Sequence, residues 1–262
     1  MTDEIELLET IINRNMNDSI SEIGIKLKDI FGFQYSPVGV YFTENRPENA
    51  SGCKSKGNGC IVPLIFSSAK GKTVAIDKDT TGFNCSAFYL GYQKWIFDGI
   101  ENFLSNDVVW GREPERFIKT KEQAKAFVES FVPEELNEKV AVFKPLENFK
   151  ENEKPEVVIF FANADQLSGL IYQLHYSTPD VDDLVVTRFM SACGAMVTLP
   201  FKYKSEGKLK AFWGTHDIAA RLRLPKDIMT LSMPMELVYQ MYEDIDESFL
   251  ITENWQKIKE RN

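Results

Sequence analysis

The chain has 262 residues, of which 44% are hydrophobic and 26% charged, with a formal net charge of -9. That length supports a substantial core. The acidic balance argues against general nucleic-acid binding, which needs surplus Lys and Arg. The longest apolar run, residues 157–162, is strand-sized and far too short to span a membrane.

The opening MTDEIELLET is acidic and amphipathic, the opposite of a secretory signal, so the expected location is the cytoplasm. Ile5, Leu8, Ile11 and Ile12 share one helical face, and Ile20, Ile23, Ile25, Leu27 and Ile30 form a second pattern, with Ser19 and Ser21 as candidate caps. Phe31-Gly32-Phe33 closes that helix. Residues 37–42 are predicted as a strand, residues 60–69 as a helix opening on Cys60, residues 73–76 as a short strand, and residues 86–97 as helical. Further on, residues 121–131 read as an amphipathic helix and residues 140–146 as a strand. Residues 156–162 read as a strand buried on both faces, leading into a helix that starts at Asn163. A short helix over 190–199 would carry Cys193; residues 228–233 read as a strand and residues 235–245 as the last long helix. No repeat or linker is evident. The expected fold is α+β, a single compact domain over residues 1–262, with a mixed or antiparallel sheet flanked by helices. Within it, residues 1–33 form an N-terminal helical lead-in, residues 34–250 the core, and residues 251–262 a C-terminal tail or helix.

The chemistry concentrates on four cysteines: Cys53, Cys60, Cys85 and Cys193. A reducing compartment disfavours structural disulfides. Cys53 and Cys60 lie in SGCKSKGNGC, and residues 51–73 carry Lys54, Lys56, Lys70 and Lys72 with no acid, an electropositive island in an acidic chain. Positive neighbours favour thiolates and suit an anionic thiolate-bound metal centre. The Cys-x6-Cys spacing is wider than the pairs of zinc ribbons, and Cys85 and Cys193 come from distant segments. Only two histidines are present, too few for a His-rich metal site. Spacing and charge leave three readings open: joint metal ligation, reactive thiols, and inert core cysteines.

The segments PVGVYF, GCKSKGNGC, SAKGKTVAIDKDTTGFNC, IKTKEQAKAFVES, AVFKPLENF, EKPEVVIFFANADQLSGL, SACGAM and GTHDIAAR, spread from Pro37 to Arg221, resemble the family called Domain of Unknown Function 169. This prokaryotic family, common among anaerobes, has no assigned reaction. The resemblance implies that cysteines at the positions of Cys53, Cys60, Cys85 and Cys193 recur as a set, which favours shared ligation of an iron–sulfur cluster, of the four-iron, four-sulfur type, over zinc. Such proteins usually carry glycine-cysteine-proline at the third cysteine; here the segment is Asn84-Cys85-Ser86-Ala87-Phe88-Tyr89, which implies a bulkier loop.

Two other segments could line a pocket. Asn163 and Gln166 sit where a strand gives way to a helix, a position suited to a polar ligand and equally to plain capping. The run Gly214-Thr215-His216-Asp217-Ile218-Ala219-Ala220-Arg221 could supply Thr215, a proton-exchanging His216, an orienting Asp217 and an anion-gripping Arg221, or simply form a capped turn. The sequence AKGKT ends like a phosphate loop but lacks its first glycine and precedes a strand, so it reads as a lysine turn. His175 reads as a structural imidazole. The expectation is a cytoplasmic iron–sulfur protein for electron transfer or for reductive chemistry on a small anionic molecule. Lys54, Lys56, Asn163, Gln166, Thr215, Asp217 and Arg221 would line its site, and a small ligand or a redox partner protein would use it. The alternatives are a non-catalytic small-molecule binding protein and a thiol-dependent enzyme. A homo-oligomer stays open.

Overall fold

The structure, a computed structural model, describes residues 18–52, 59–133, 139–178 and 181–261. The first helical pattern, with Ile5, Leu8, Ile11 and Ile12, lies outside them.

Helix α1 (Ile20–Phe31) starts where Ser19 and Glu22 exchange side-chain and backbone hydrogen bonds in a capping box. It ends at Gly32, whose left-handed backbone suits a residue without a side chain. The strands β1 (Val38–Thr43), β2 (Val74–Ile76), β3 (Val140–Pro145), β4 (Val157–Ala162), β5 (Val185–Val186), β6 (Ala211–Gly214) and β7 (Met229–Pro234) form one sheet in the order β2-β3-β1-β4-β7-β6-β5. Every pairing is antiparallel except β5 with β6. The mixed sheet expected from the sequence is therefore present, in an α+β arrangement.

Strand β4 holds the middle, and its composition explains why. All six residues of VVIFFA are buried, and alternate side chains enter opposite cores. Val157, Ile159 and Phe161 face one core; Val158, Phe160 and Ala162 face the other. The first core is covered by α2 (Val62–Ser68), α3 (Asn84–Tyr89), α4 (Ile100–Leu104), α5 (Lys121–Glu129), a π-helix over Gly194–Thr198 and α7 (Leu199–Ser205). The second core is covered by α1, α6 (Ala164–His175), α9 (Met235–Glu243) and α10 (Glu253–Glu260). At about 1.5–3 kcal/mol for each fully buried Val, Leu, Ile or Phe, these two layers hold the sheet from both sides.

The differences from the sequence reading have local causes. The helix expected over residues 86–97 is only α3, and the chain then turns through Gly91, whose backbone is left-handed. Residues 190–199 form a π-helix continuing into α7 rather than a plain short helix. Strands β5 and β6 are too short to leave a pattern. The C-terminal segment is a helix, capped by Thr252 and anchored by Trp255, whose indole N–H donates to the Ile30 carbonyl at 2.8 Å.

Candidate functional site

Cys60, Cys85 and Cys193 reach the same core, on the face covered by α2, α3 and the π-helix. Cys60 lies two residues ahead of α2, whose first turn accepts Pro63 because the missing N–H costs nothing there. The Gly59 carbonyl accepts from the Phe83 N–H at 3.2 Å, which joins the approach to Cys60 to the approach to Cys85. Cys85 is the second residue of α3. NCSAFY forms this short helix, and Ser86, Ala87, Phe88 and Tyr89 are buried along it. Cys193 is buried immediately before the π-helix. Ser86 Oγ and Cys193 Sγ are 4.0 Å apart.

The thiols act on one another. Burial is the main cause holding the Cys193 thiol well above the ordinary range, and Cys60, Cys85 and Asp217 push the same way against the Ser86 hydroxyl. Cys85 is only half-buried as a residue, yet burial is again the leading cause raising its thiol, to about 12. Cys60 and Asp217 add to the rise, and Ser86 opposes it. The Tyr89 hydroxyl is raised by burial and by Cys85, Cys193 and Asp217, while Ser191 hydrogen-bonds to it. Three segments distant in sequence thus build one electrostatic group.

The backbone around Cys193 departs from regular geometry. π-helical turns are rare, and they frequently mark functional sites. Gly194 permits this one to pack, since a Cβ there would lie 2.5 Å from Met190 Cε and 3.0 Å from Tyr89 Cδ1. The Thr198 hydroxyl donates to the Tyr89 carbonyl, tying the π-helix to α3. Beside it, fully buried Thr215 has a positive φ, a left-handed conformation unfavourable for a β-branched residue. Its hydroxyl donates to the Gly214 carbonyl at 2.7 Å.

Asp217 joins this strained turn to the cysteine segment. One carboxylate oxygen caps α8 (Ile218–Arg221) by accepting from the Ala219 N–H at 3.0 Å, and the other accepts from the Ala192 N–H at 3.2 Å. His216 Nε2 lies 3.1 Å from the Arg188 carbonyl, which can only accept, so Nε2 carries a proton. Its Nδ1 is buried without a hydrogen-bond partner among the described residues.

Other sequence candidates fall elsewhere. Asn163 and Gln166 form the capping box of α6, and Gln166 also donates to the Gly32 carbonyl at 2.7 Å. Both serve the second core, across the sheet from the cysteines. Arg221 donates to the carbonyls of Ile228, of Pro225 at 3.3 Å and of Lys226 at 2.7 Å, fastening a backbone loop rather than reaching towards the thiols. The AKGKT segment turns at Gly71, which has a positive φ, and Lys70 stacks 4.2 Å from the Phe66 ring centroid. His175 Nδ1 lies 2.8 Å from the Ile171 carbonyl on its own helix. Cys53, Lys54 and Lys56 lie outside the described residues. Ser86, Tyr89 and Ser191 were not singled out in the sequence; their signal there is no more than proximity to a cysteine in the chain. Among the described residues, no group of three or more His, Cys, Asp or Glu side chains is arranged to hold a metal ion. No helix among them is long and apolar enough to cross a membrane.

Fold and site together define a class: an α+β protein with a mixed sheet between two helical layers and three cysteines packed on one face. The chain belongs to the family Domain of Unknown Function 169, described as an uncharacterised ArCR, whose profile matches residues 26–244. No curated protein and no solved structure matches the chain.

Proposed function

We propose that Cys60, Cys85 and Cys193, with Cys53, bind an iron–sulfur cluster of the four-iron, four-sulfur type, in a protein that transfers electrons or reduces a small anionic molecule. What supports this reading is that Cys60, Cys85 and Cys193, from three separate segments, pack on the same core. Neighbouring thiolates repel one another, and a bound cationic metal core would relieve that repulsion. The donor chemistry is all sulfur, which suits iron–sulfur or zinc centres, and the wide Cys-x6-Cys spacing departs from the close cysteine pairs of zinc ribbons. Bound there, the cluster would accept and release single electrons. Lys54 and Lys56, in the loop between Cys53 and Cys60, would offset its charge and attract an anion.

The thiol-enzyme alternative would instead use Cys53 or Cys60, activated by Lys54 and Lys56. The test is anaerobic purification with iron and acid-labile sulfide assays and a visible spectrum. We expect a brown protein with both elements bound, and their loss in Cys193→Ser and Cys85→Ser variants whose far-ultraviolet circular dichroism is unchanged. A colourless wild-type protein after anaerobic reconstitution with iron and sulfide would sink the reading.

A further inference from the structure

A cavity of about 510 Å³ opens where α1 ends, lined by Ile25, Lys28, Asp29, Phe33, Glu147 and Lys259. Its size falls in the range of small-molecule sites. Phe33, in its wall, packs on Phe160 with ring centroids 5.6 Å apart, so the cavity belongs to the second core, across the sheet from the cysteines. Gly32 brings the walls together. A Cβ there would lie 2.8 Å from Lys259 Cγ, and glycine lets the lysine stem from α10 cross the end of α1. Lys259 Nζ donates to the Asp29 carbonyl at 3.0 Å. Lys28 Nζ donates to the Ser36 hydroxyl at 3.0 Å and lies 3.8 Å from Glu147 Oε1, which accepts from the same hydroxyl.

Each ammonium carries three N–H groups and uses one on these hydroxyl and carbonyl partners, so both lysines keep donors for the cavity. On the acidic side, the Asp29 carboxylate has no partner among the described residues, and Glu147 Oε2 is buried with none. An unpartnered buried carboxylate oxygen is costly, and an incoming donor offsets that cost. Two lysines and two acids beside an apolar wall suit a ligand that carries both charges. A simple anion leaves the carboxylates unmet, and a simple cation leaves the lysines unmet. We propose that this cavity binds a free α-amino acid with an apolar side chain, at a site independent of the thiols. The ligand carboxylate meets Lys28 and Lys259, its ammonium meets Glu147 and Asp29, and its side chain lies on Phe33 and Ile25. Binding draws Lys28 away from Glu147, a contact already long at 3.8 Å, and frees Glu147 for the ligand ammonium.

The test is isothermal titration of the full chain near neutral pH with three probes that share one side chain. L-phenylalanine carries both charges, 3-phenylpropanoate only the carboxylate and 2-phenylethylamine only the ammonium. We expect L-phenylalanine to bind at least about tenfold more tightly than either analogue, because each analogue leaves one pair of charged groups unmet. Lys259→Met and Asp29→Asn should each weaken that binding at least about fivefold, with thermal midpoints within about 2 °C of wild type. These two positions are preferred over Glu147, whose bond to Ser36 also supports the fold. Glu147→Gln, in protein whose circular dichroism is unchanged, should remove the preference for L-phenylalanine over 3-phenylpropanoate. No binding of L-phenylalanine at about 10 mM, weaker than any specific site, would overturn the proposal. So would equal affinity for an analogue carrying one charge, or full affinity in both the Lys259→Met and Asp29→Asn variants. None of these results bears on the cysteines, so the cluster reading stands or falls separately.

Discussion

Ser86 Oγ and Cys193 Sγ, 107 positions apart in the chain, are 4.0 Å apart in the core. The contact places the helix bearing Cys85 against the turn bearing Cys193, and makes the serine hydroxyl a polar neighbour that eases ionisation of both thiols. The surrounding groups work the other way, so each sulfur keeps its proton until something more strongly attractive displaces it.

That balance sets a stability profile. An unfolded cysteine titrates at about pH 8.5, whereas the folded Cys85 thiol titrates at about 12 and Cys193 is also raised. The fold therefore holds these protons more tightly than the unfolded chain does. Their contribution is complete below about pH 8.5 and declines as pH climbs towards the folded values, by about 1.4 kcal/mol per pH unit for each thiol. Urea melts of metal-free protein between about pH 7 and about pH 10 should show this loss, and Cys85→Ala should flatten it. An equal slope in that variant would mean other groups dominate.

Thr215 offers an inverted substitution order. Alanine at this position keeps the left-handed strain and removes the hydroxyl that donates to Gly214; glycine removes both hydroxyl and strain. We expect Thr215→Gly to be more stable than Thr215→Ala by about 1 kcal/mol, the reverse of the usual ranking. Chemical denaturation of the two variants side by side decides it.

At Gly194 the expected direction is loss. A methyl group would press on Met190, which can swing aside, and on the Tyr89 ring, which is pinned between α3 and Phe131. Gly194→Ala should cost about 1–3 kcal/mol. On the proposed cluster reading, iron content should fall as well, because the methyl sits beside Cys193. Calorimetry and an iron assay on one preparation would measure both.

Arg46 links the two cysteine approaches. Its guanidinium meets Asp77 at 2.6 Å and the Ala75 carbonyl at 3.0 Å, and it packs where a Gly52 side chain would lie, one residue before Cys53. At Asp77, burial works to raise the carboxyl, and the hydrogen bonds from Thr80 and Arg46 with the Arg46 charge hold it below its usual range. The resulting stabilisation is present above the unfolded carboxylate pKa and is lost as pH falls through the folded value. Arg46→Ala should lower stability by about 1–2 kcal/mol for this partly exposed pair. Acid unfolding should then begin at higher pH. An acid titration matching the wild type would rule out the pair as a contributor.

Much of this protein was set by local chemistry and could be read directly. The continuous apolar run of β4 identified a central strand, because only a position between two cores buries both faces. Ser19 with Glu22 and Gly32 marked both ends of α1, since caps satisfy backbone groups within a few residues. The paired cysteines in their glycine loop stood out in the sequence as candidate ligands. What the chain order could not decide was which distant segments meet. Asn163 and Gln166 looked like pocket residues but cap α6 on the far side of the sheet, since a strand end presents to either face depending on the helix that follows. Arg221 had the chemistry to hold an anion and instead closes its own loop. The meeting of Cys60, Cys85 and Cys193, the π-turn that Gly194 allows and the strained Thr215 all depend on packing between segments far apart in the chain. Such long-range contacts leave no periodic trace in a single sequence, because periodicity records only which face of one element is buried and not what buries it.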